Sequence, residues 1–195
     1  MAATRHLEEA APRAARGARG GGSDRLDAGS PRLEELAGER GGAATGRNPT
    51  DKGKPGSKQH LVVDAQGIPL AVEVTAANLH DSRMLAPMLD AIPPIRTGRR
   101  GRPRRRPEKL HADKGYDYRR CRDACVRRHI KHRIARRGIE SKHHLGRHRW
   151  VVERTFAWLA RYRRLTIRYE RLVAMHRAFL HLGCALICWN YVQRL

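Results

Sequence analysis

The chain has 195 residues, enough for one domain with appendages, and 40% of them are apolar. Lysine and arginine number 41 against 19 aspartate and glutamate residues, which gives a formal net charge of +22. A chain this basic attracts polyanions, because each phosphate that it neutralises releases a counterion. Composition therefore favours nucleic acid as the partner. A basic tail on a neutral domain is the weaker explanation, since the charge also runs through the predicted folded region.

Neither a membrane span nor a zinc knuckle is predicted. The most apolar stretch, residues 178–192, is interrupted by His181 and Asn190 and is shorter than the ~20 residues that a bilayer requires. The first residues are polar and charged, unlike a signal peptide. The four cysteines form two pairs with i,i+4 spacing, so we expect reduced, buried or half-buried thiols in a cytoplasmic protein. These cysteines are Cys121, Cys125, Cys184 and Cys188.

Residues 1–57 are rich in Ala, Gly, Arg and Pro and have no hydrophobic period. This composition predicts a largely disordered basic segment, with at most a weak helix over residues 32–37. The folded domain is predicted to span residues 58–195. It begins with a hairpin of two strands, 60–64 and 68–76, joined by a short turn.

A helix is predicted to begin at Asp81-Ser82 and to end before Pro93, with apolar residues at helical spacing. A flexible basic loop covers residues 98–107. The next predicted elements are a strand over 109–113, a helix over 116–128 and a strand over 130–135.

Two helices close the chain. The first is predicted over residues 147–165, followed by a last helix with apolar residues at 4-3-4-3 steps. The first helix has a stripe formed by Val151, Thr155, Trp158, Tyr162 and Leu165, widened by Phe156 and Leu159, and the last has Met175, Phe179, Leu182, Leu186 and Trp189. The whole succession predicts an α/β fold, a mixed RNase-H-like sheet flanked by helices with its first strand missing.

Carboxylates near strand ends are the candidates for chemistry in a chain this basic. Phosphoryl transfer on DNA commonly uses two divalent ions about 4 Å apart, held by carboxylates. Asp113 follows an apolar strand, and open sheets bind ligands beyond the carboxyl ends of their strands. The alternative role of Asp113 is to cap the next helix.

Glu153 is the second candidate, because the small residues Ala157 and Ala160 continue its face of the helix. The alternative is an ion pair with a neighbouring arginine. Asp64 and Asp81 are lesser candidates: Asp64 precedes a glycine turn, where aspartate is ordinary, and Asp81 suits a helix cap or a supporting group.

Arginine-rich runs at residues 99–106, 119–128 and 161–171 suit contacts with DNA backbone, or else solvated faces. Trp150 and Trp158 are expected in the core rather than as platforms for bases. The 11 histidines show no tight metal-ligand spacing.

Long motifs in the chain resemble those of one known group of proteins. They are GGAATGRNPTDKGKPGSKQHLVVDAQGIPLAVEVTAANLHDS, KLHADKGYDY, RIARRGIES and LGRHRWVVERTFAWLARYRRLTIRYER. Over about residues 41–195 the chain resembles bacterial transposases of the insertion-sequence-five group, related to the insertion-sequence-four group. The resemblance implies an RNase-H-like DDE transposase that cuts and joins DNA with Mg²⁺ or Mn²⁺.

The resemblance also implies catalytic residues. The second Asp of the triad corresponds to Asp113 and the Glu to Glu153, and these two would hold the metal. The first Asp is assigned to Asp27, although its spacer to Gly41 is several residues longer than in the group and the surrounding sequence lacks β-branched residues. The chain is therefore interpreted as a truncated or frame-shifted copy.

Partners follow from the resemblance and the charge together. We expect DNA, both transposon ends and target, with contacts from Lys114, Arg147, Arg149, Arg154 and Arg161. Arg149 matches a basic residue of the group, whereas Gly146 stands where related groups carry tyrosine. A homo-oligomer on DNA in the bacterial cytoplasm, associated with the nucleoid and not with a membrane, is expected.

Two other functions stay open. One is a catalytically impaired remnant that only binds DNA. The other is an unrelated basic RNA-binding or ribosome-associated protein, which would need neither Asp113 nor Glu153.

Overall fold

The computed structural model describes residues 27–28, 32–37, 42–96, 101–139 and 146–194. The side chains of residues 27–37 and 146–149 are not among the described parts of the chain. Residues 1–26, for which disorder is predicted, also lie outside the described residues.

The strands form one parallel and one antiparallel group. The parallel group contains β1 (Asp27–Ala28), β6 (Lys109–Ala112) and β7 (Lys131–Ile134), in the order β1-β6-β7. The antiparallel group surrounds the long strand β4. Its members are β2 (Arg32–Ala37), β3 (Gly46–Arg47), β4 (Pro55–Val63) and β5 (Pro69–Ala76).

Five α-helices accompany these strands in the described ranges. They are α1 (Leu85–Asp90), α2 (Arg119–Arg127), α3 (Gly146–Leu159), α4 (Arg163–Thr166) and α5 (Val173–Val192). None of the helices described there has the length and apolar character needed to cross a membrane.

The core has two parts because β4 is buried on both faces. Side chains alternate along a strand, so Val62 points to one face while Leu61 and Val63 point to the other. Val62 packs with the cluster that contains α1, β6 and α2. Leu61 and Val63 pack with the cluster that contains α3 and α5. Helices therefore flank the strands on both faces, which confirms the predicted mixed α/β class.

Several predicted elements are confirmed with small changes of boundary. The hairpin is β4–β5, the strand before Asp113 is β6, and the strand after the second helix is β7. The helix after Asp81 is a single 3₁₀ turn followed by α1. The predicted burial of the cysteines is also confirmed, since three are buried and Cys188 is half-buried.

The segment ahead of residue 58 departs from prediction. Residues 32–37, predicted as a weak helix, form β2, which pairs with β4 from Arg32 opposite Leu61 to Ala37 opposite Gly56. A six-residue helix is only marginally stable, whereas pairing satisfies the open edge of a nine-residue strand. Regular structure thus begins ahead of residue 58, and β1 and β2 stand where the first strand was expected to be missing.

The last two helices also differ from prediction. The helix predicted to reach residue 165 ends at Leu159, and the chain turns there before α4. The predicted apolar stripe of α5 faces outward over most of its length. The buried face of α5 consists of His176, Leu180, Gly183, Cys184 and Ile187.

A glycine explains this orientation of α5. A Cβ atom on Gly183 would lie 2.9 Å from Leu165 Cδ1 and 3.1 Å from Leu159 Cδ2. The absence of a side chain therefore lets α5 approach the end of α3 closely, and the seam containing Gly183 becomes the core seam.

Candidate active site

Asp113 lies where the sequence predicts it, directly after β6. Its Oδ1 accepts a hydrogen bond of 2.9 Å from the backbone N–H of Gly115, so the carboxylate caps a 3₁₀ turn over Lys114–Tyr116. The capping role and the strand-end position thus occur together. The half-buried carboxylate is held at the carboxyl end of β6, in which Leu110 and Ala112 are buried.

Asp81 is brought to the same place. A Cβ atom on Gly115 would lie 3.0 Å from Asp113 Oδ1 and 3.6 Å from Asp81 Oδ2. The two carboxylate oxygens therefore lie no farther apart than the sum of those distances. We call this arrangement of Asp81, Asp113 and Gly115 the carboxylate cradle. Asp81 was a lesser candidate in the sequence because it suits a helix cap or a supporting group, and no local pattern joins two residues 32 positions apart.

A buried lysine holds Asp81 in the cradle. Lys58 Nζ lies 3.1 Å from Asp81 Oδ1, and its side chain is 9% exposed. The same ammonium donates to the Leu79 carbonyl oxygen at 3.3 Å. Two carboxylates close together repel each other, and the nearby cation offsets part of that repulsion. Asp81 is thus an ion-paired group, while His80 supplies the cap of its 3₁₀ turn.

The turn that follows Asp113 is tied down by charged and aromatic contacts. Asp117 accepts a 2.8 Å hydrogen bond from the backbone N–H of Arg137 and pairs with Arg122 at 2.6 Å. The hydrogen bond from Arg137 and then the one from Arg122 hold the pKa of the Asp117 carboxyl below its usual value. The guanidinium groups of Arg120 and Arg137 each lie 4.9 Å from the centre of the Tyr118 ring. These contacts fix the loop that presents Asp113.

Asp27 is not brought beside Asp113 by the strand register. In the parallel pair β1–β6, Asp27 is opposite Lys109, four positions before Asp113. At a rise of about 3.3 Å per residue, that offset corresponds to ~13 Å along the strand. Asp27 therefore lies level with the first residue of β6, whereas the carboxylate cradle lies beyond the last residue of that strand.

Glu153 is an exposed residue of α3. A Cβ atom on Gly67, in the β4–β5 turn, would contact side chains of Val151, Arg154 and Thr155. Glu153 is midway between Val151 and Thr155 in sequence, which places it on the opposite flank of a helix with 3.6 residues per turn. It thus faces away from the β4–β5 turn. Within the described residues no cluster of three or more His, Cys, Asp or Glu side chains forms a metal site.

A family model for the transposase DDE domain matches residues 27–190. The chain belongs to the DDE transposase family. This membership confirms the resemblance found in the motifs, and the matched range includes β1 and both carboxylates of the cradle.

Two relatives are insertion-sequence transposases. The protein named "Putative transposase for insertion sequence element IS402" of Burkholderia cepacia is 50% identical over 194 residues, which cover 100% of this chain and 92% of that protein. A transposase for insertion sequence element IS1106 of Neisseria meningitidis serogroup B is 31% identical over 133 residues, 60% of this chain and 39% of that protein.

Among solved structures, similarity is found to a simian T-cell lymphotropic virus intasome in complex with PP2A regulatory subunit B56 gamma. The TM-score is 0.49 at 12% identity, covering 82% of this chain and 47% of that chain.

Asp64 has the ordinary turn role within this transposase fold. Its Oδ1 accepts hydrogen bonds of 2.8 Å from the backbone N–H groups of Gln66 and Ile68. Burial raises the pKa of the Asp64 carboxyl. Asp64 therefore shapes the β4–β5 turn rather than the cradle.

Of the arginines predicted to bind DNA, Arg154 makes extensive contacts within the protein. Its guanidinium lies 4.5 Å from the Trp150 ring and 4.8 Å from the Trp158 ring, and it donates to the Gln66 carbonyl oxygen. Its Nε atom is buried. Each tryptophan is four positions from Arg154 on the same helix, and this spacing creates the arrangement. Trp158 packs partly against the core as expected, whereas Trp150 is 49% exposed.

The other predicted DNA contacts differ in exposure. Arg161 is exposed at a surface groove, and Lys114 is half-buried in the turn after Asp113. The side chains of Arg147 and Arg149 lie outside the described residues.

Some arginines of the predicted basic runs stabilise the fold instead of facing solvent. Arg168 is 1% exposed and donates to the carbonyl oxygens of Ala43 and Ala44 and to Ser57 Oγ. Arg128 donates to Asp90 at 2.8 Å. Only part of the +22 charge is therefore available to a partner.

Proposed function

We propose that this chain is an insertion-sequence transposase that cleaves DNA strands at transposon ends and joins them to target DNA. The observation that carries the proposal is the carboxylate cradle at the carboxyl end of β6, in a chain that belongs to the DDE transposase family. Such a position is where open α/β sheets bind ligands.

The cradle fits a hard divalent cation. Asp81 and Asp113 offer carboxylate oxygens, which are the ligands that Mg²⁺ prefers, and Mg²⁺ usually keeps several waters beside one or two carboxylates. The space beside Gly115 exists because that residue has no Cβ atom. When bound, Mg²⁺ or Mn²⁺ would activate the attacking oxygen and stabilise the leaving oxygen at phosphorus.

The chain's own residues have distinct parts in this proposal. Asp113 is the principal metal ligand, oriented by the Gly115 N–H. Asp81 is the carboxylate that the described contacts bring near it, oriented by Lys58. Glu153 completes the acidic set from α3, as the family resemblance implies. Lys114, Arg161 and the basic loop then bind phosphates of DNA.

A remnant that binds DNA without cutting it is the second candidate. It is favoured by one observation, the β1–β6 register that sets Asp27 opposite Lys109 instead of Asp113. If the reaction needs Asp27 as a ligand, this offset abolishes cleavage but leaves DNA binding intact.

Cleavage of a DNA carrying the element's own ends, with Mg²⁺ or Mn²⁺, tests the proposal. We expect Asp113→Asn and Glu153→Gln to abolish strand cleavage while DNA binding is retained. Asp81→Asn should lower the rate by at least about 10- to 100-fold, because even the loss of an outer group that only orients metal ligands costs this much.

Asp123→Asn is the matched control, because Asp123 is an exposed carboxylate on α2. Binding of Mn²⁺ by calorimetry gives a second readout, which should weaken in Asp113→Asn and be unchanged in Asp123→Asn. A wild-type chain that binds the ends but never cuts them would establish the remnant instead. Cleavage that persists in both Asp113→Asn and Glu153→Gln would refute the catalytic assignment.

The wider setting is proposed with this function. Transposon ends and target DNA are the substrates, and two or more copies of the chain act together on them. The nucleoid of the bacterial cytoplasm is the location that such a reaction requires.

A further inference from the structure

Helix α5 has a row of large apolar side chains that face solvent. Met175 is 51% exposed, Leu182 57%, Leu186 39% and Trp189 60%. Phe179 continues the row and is partly buried against the core. We call these five residues the outer face of α5. Exposed contiguous apolar patches of this kind on soluble domains commonly mark interaction sites.

The outer face is distinct from the face of α5 that packs against the core. The core packs against the seam that contains Leu180, Gly183 and Ile187. Both faces of α5 are apolar, but in the monomer only the core-facing side is covered by other elements of the described chain. The 4-3-4-3 steps of the outer face give a mean spacing of about 3.5 residues, which is the period of helix-to-helix seams in coiled coils.

The charge distribution excludes nucleic acid as the occupant of this face. In a chain of net charge +22, α5 carries one charged residue, Arg177, which pairs with Glu73 at 3.0 Å. Between the large side chains lie exposed Ala178 and Ala185. A DNA-binding surface would need clustered lysine or arginine. A strongly acidic protein partner would likewise find no opposite charge here.

The longest segment outside the described residues does not match the outer face. The longest segment outside the description, residues 1–26, contains Met1, Leu7 and Leu26 as its only large apolar residues. Three such residues without helical spacing cannot form a complementary stripe.

A second copy of the chain supplies the matching surface. The helix of 20 residues is about 30 Å long, so two copies can align over the whole outer face. The large side chains, with the flanking alanines and Val192, offer on the order of 600 Å² per copy, near the ~800 Å² per partner of a standard interface. A twofold axis allows one such patch to pair with itself.

We infer that the outer face of α5 is the contact between two copies of this chain, with α5 packing on α5 across a twofold axis. The inference specifies the surface behind the homo-oligomer proposed above and rests on that proposal, but it involves no catalytic group. The contact should strengthen as salt is added, because screening reduces the repulsion between two strongly positive molecules. DNA binding should weaken under the same change.

Sedimentation equilibrium of the full chain over a wide concentration range, free and bound to a short DNA duplex, tests the inference. We expect a dimer in the wild type. Leu182→Glu with Leu186→Glu should raise the dimer dissociation constant at least 100-fold, since it buries two carboxylates in an apolar contact. Val126→Glu is the matched control, because Val126 is 60% exposed on α2.

A second measurement keeps the result independent of folding. In a Cys188→Ser background, Leu182→Cys should form a disulfide-linked dimer on oxidation, and Val126→Cys should not. A wild type that remains monomeric both free and on DNA would overturn the inference. So would a double variant that dimerises as the wild type does, or a Leu182→Cys chain that never cross-links.

The outcome is distinguishable from that of the proposed function. A monomer that still cuts transposon ends with Mg²⁺ would remove this contact and retain the transposase proposal. A dimer that never cuts DNA would do the reverse.

Discussion

His60 has no exposed surface, although histidine is polar and can carry a charge. Its Nε2 lies 2.7 Å from Thr75 Oγ1, and its buried Nδ1 has no hydrogen-bond partner among the described residues. Burial, reinforced by Lys58 and opposed by Asp81, lowers the pKa of His60 to about 4. The His60 ring is therefore neutral in the folded protein at neutral pH.

The stability of the protein should consequently fall in mild acid. Between pH 6.5 and 4 His60 is protonated in the unfolded chain but stays neutral in the folded chain. The free energy of unfolding therefore decreases as the pH falls through this range. A shift of this size corresponds to at most about 3 kcal/mol. Urea unfolding of wild type and His60→Gln at several pH values measures it, since the variant has nothing to titrate there.

The burial of His176 also lowers its pKa, so His60→Gln should keep part of the acid sensitivity. A His60→Gln curve with the same slope as the wild type would show that His60 does not contribute.

Gly115 offers a residue-scale test of the carboxylate cradle. Gly115→Ala would put a Cβ atom 3.0 Å from Asp113 Oδ1, so the carboxylate would have to move. We expect Mn²⁺ affinity and strand cleavage to fall about 10-fold, as for other changes that misplace metal ligands. The midpoint of urea unfolding should hardly change, because the contact involves one half-buried side chain. Unchanged Mn²⁺ affinity would mean that the cradle is not the metal site.

At the scale of elements, the seat of α5 on the core depends on Gly183. A larger side chain there would collide with Leu165 and Leu159, at distances where neighbouring atoms must shift. We expect Gly183→Val to lower the free energy of unfolding by about 1–3 kcal/mol, the usual cost of overpacking. Urea unfolding measures the loss. Ala174→Val, at an exposed position of the same helix, should change stability by less than about 0.5 kcal/mol.

Elements set by local pattern were predictable, and elements set by distant partners were not. The strand before Asp113, the β4–β5 hairpin and the helix after Asp81 follow from hydrophobic period and turn residues. The strand β2 forms only because β4 is available as its partner. The stripe of α5 could be predicted, but its orientation could not, because both faces of the helix are apolar and the deciding residue is Gly183.

The candidate site shows the same division. Asp113 could be found from the sequence because a strand end is a local feature. Asp81 could not, because its partners Lys58 and Asp113 are distant in sequence and meet only in the fold. Arg154 could have been recognised, since tryptophans four positions before and after it predict stacking on the same helix face.

At the scale of the whole molecule, only the positive charges that are not paired within the fold are available for DNA binding. Arg122, Arg128 and Arg168 are engaged within the fold. The loop with Arg102 to Arg106 stays exposed, and it lies beside Pro94 after α1. The positive surface that the proposed function requires for contacts with DNA backbone is therefore concentrated in part of the chain.

This distribution predicts how DNA affinity depends on salt. Each phosphate contact contributes about −0.9 to the slope of log K against log salt for duplex DNA. Replacing two exposed arginines of the loop, in Arg102→Gln with Arg105→Gln, should make the slope shallower by up to about 2 and weaken binding to all duplexes alike. Arg128→Gln is the matched loss of charge, and it should leave the slope unchanged because Asp90 already neutralises that arginine. Fluorescence anisotropy across a salt series measures all three slopes. Equal slopes for the loop variant and the wild type would place the DNA on a different surface of the molecule.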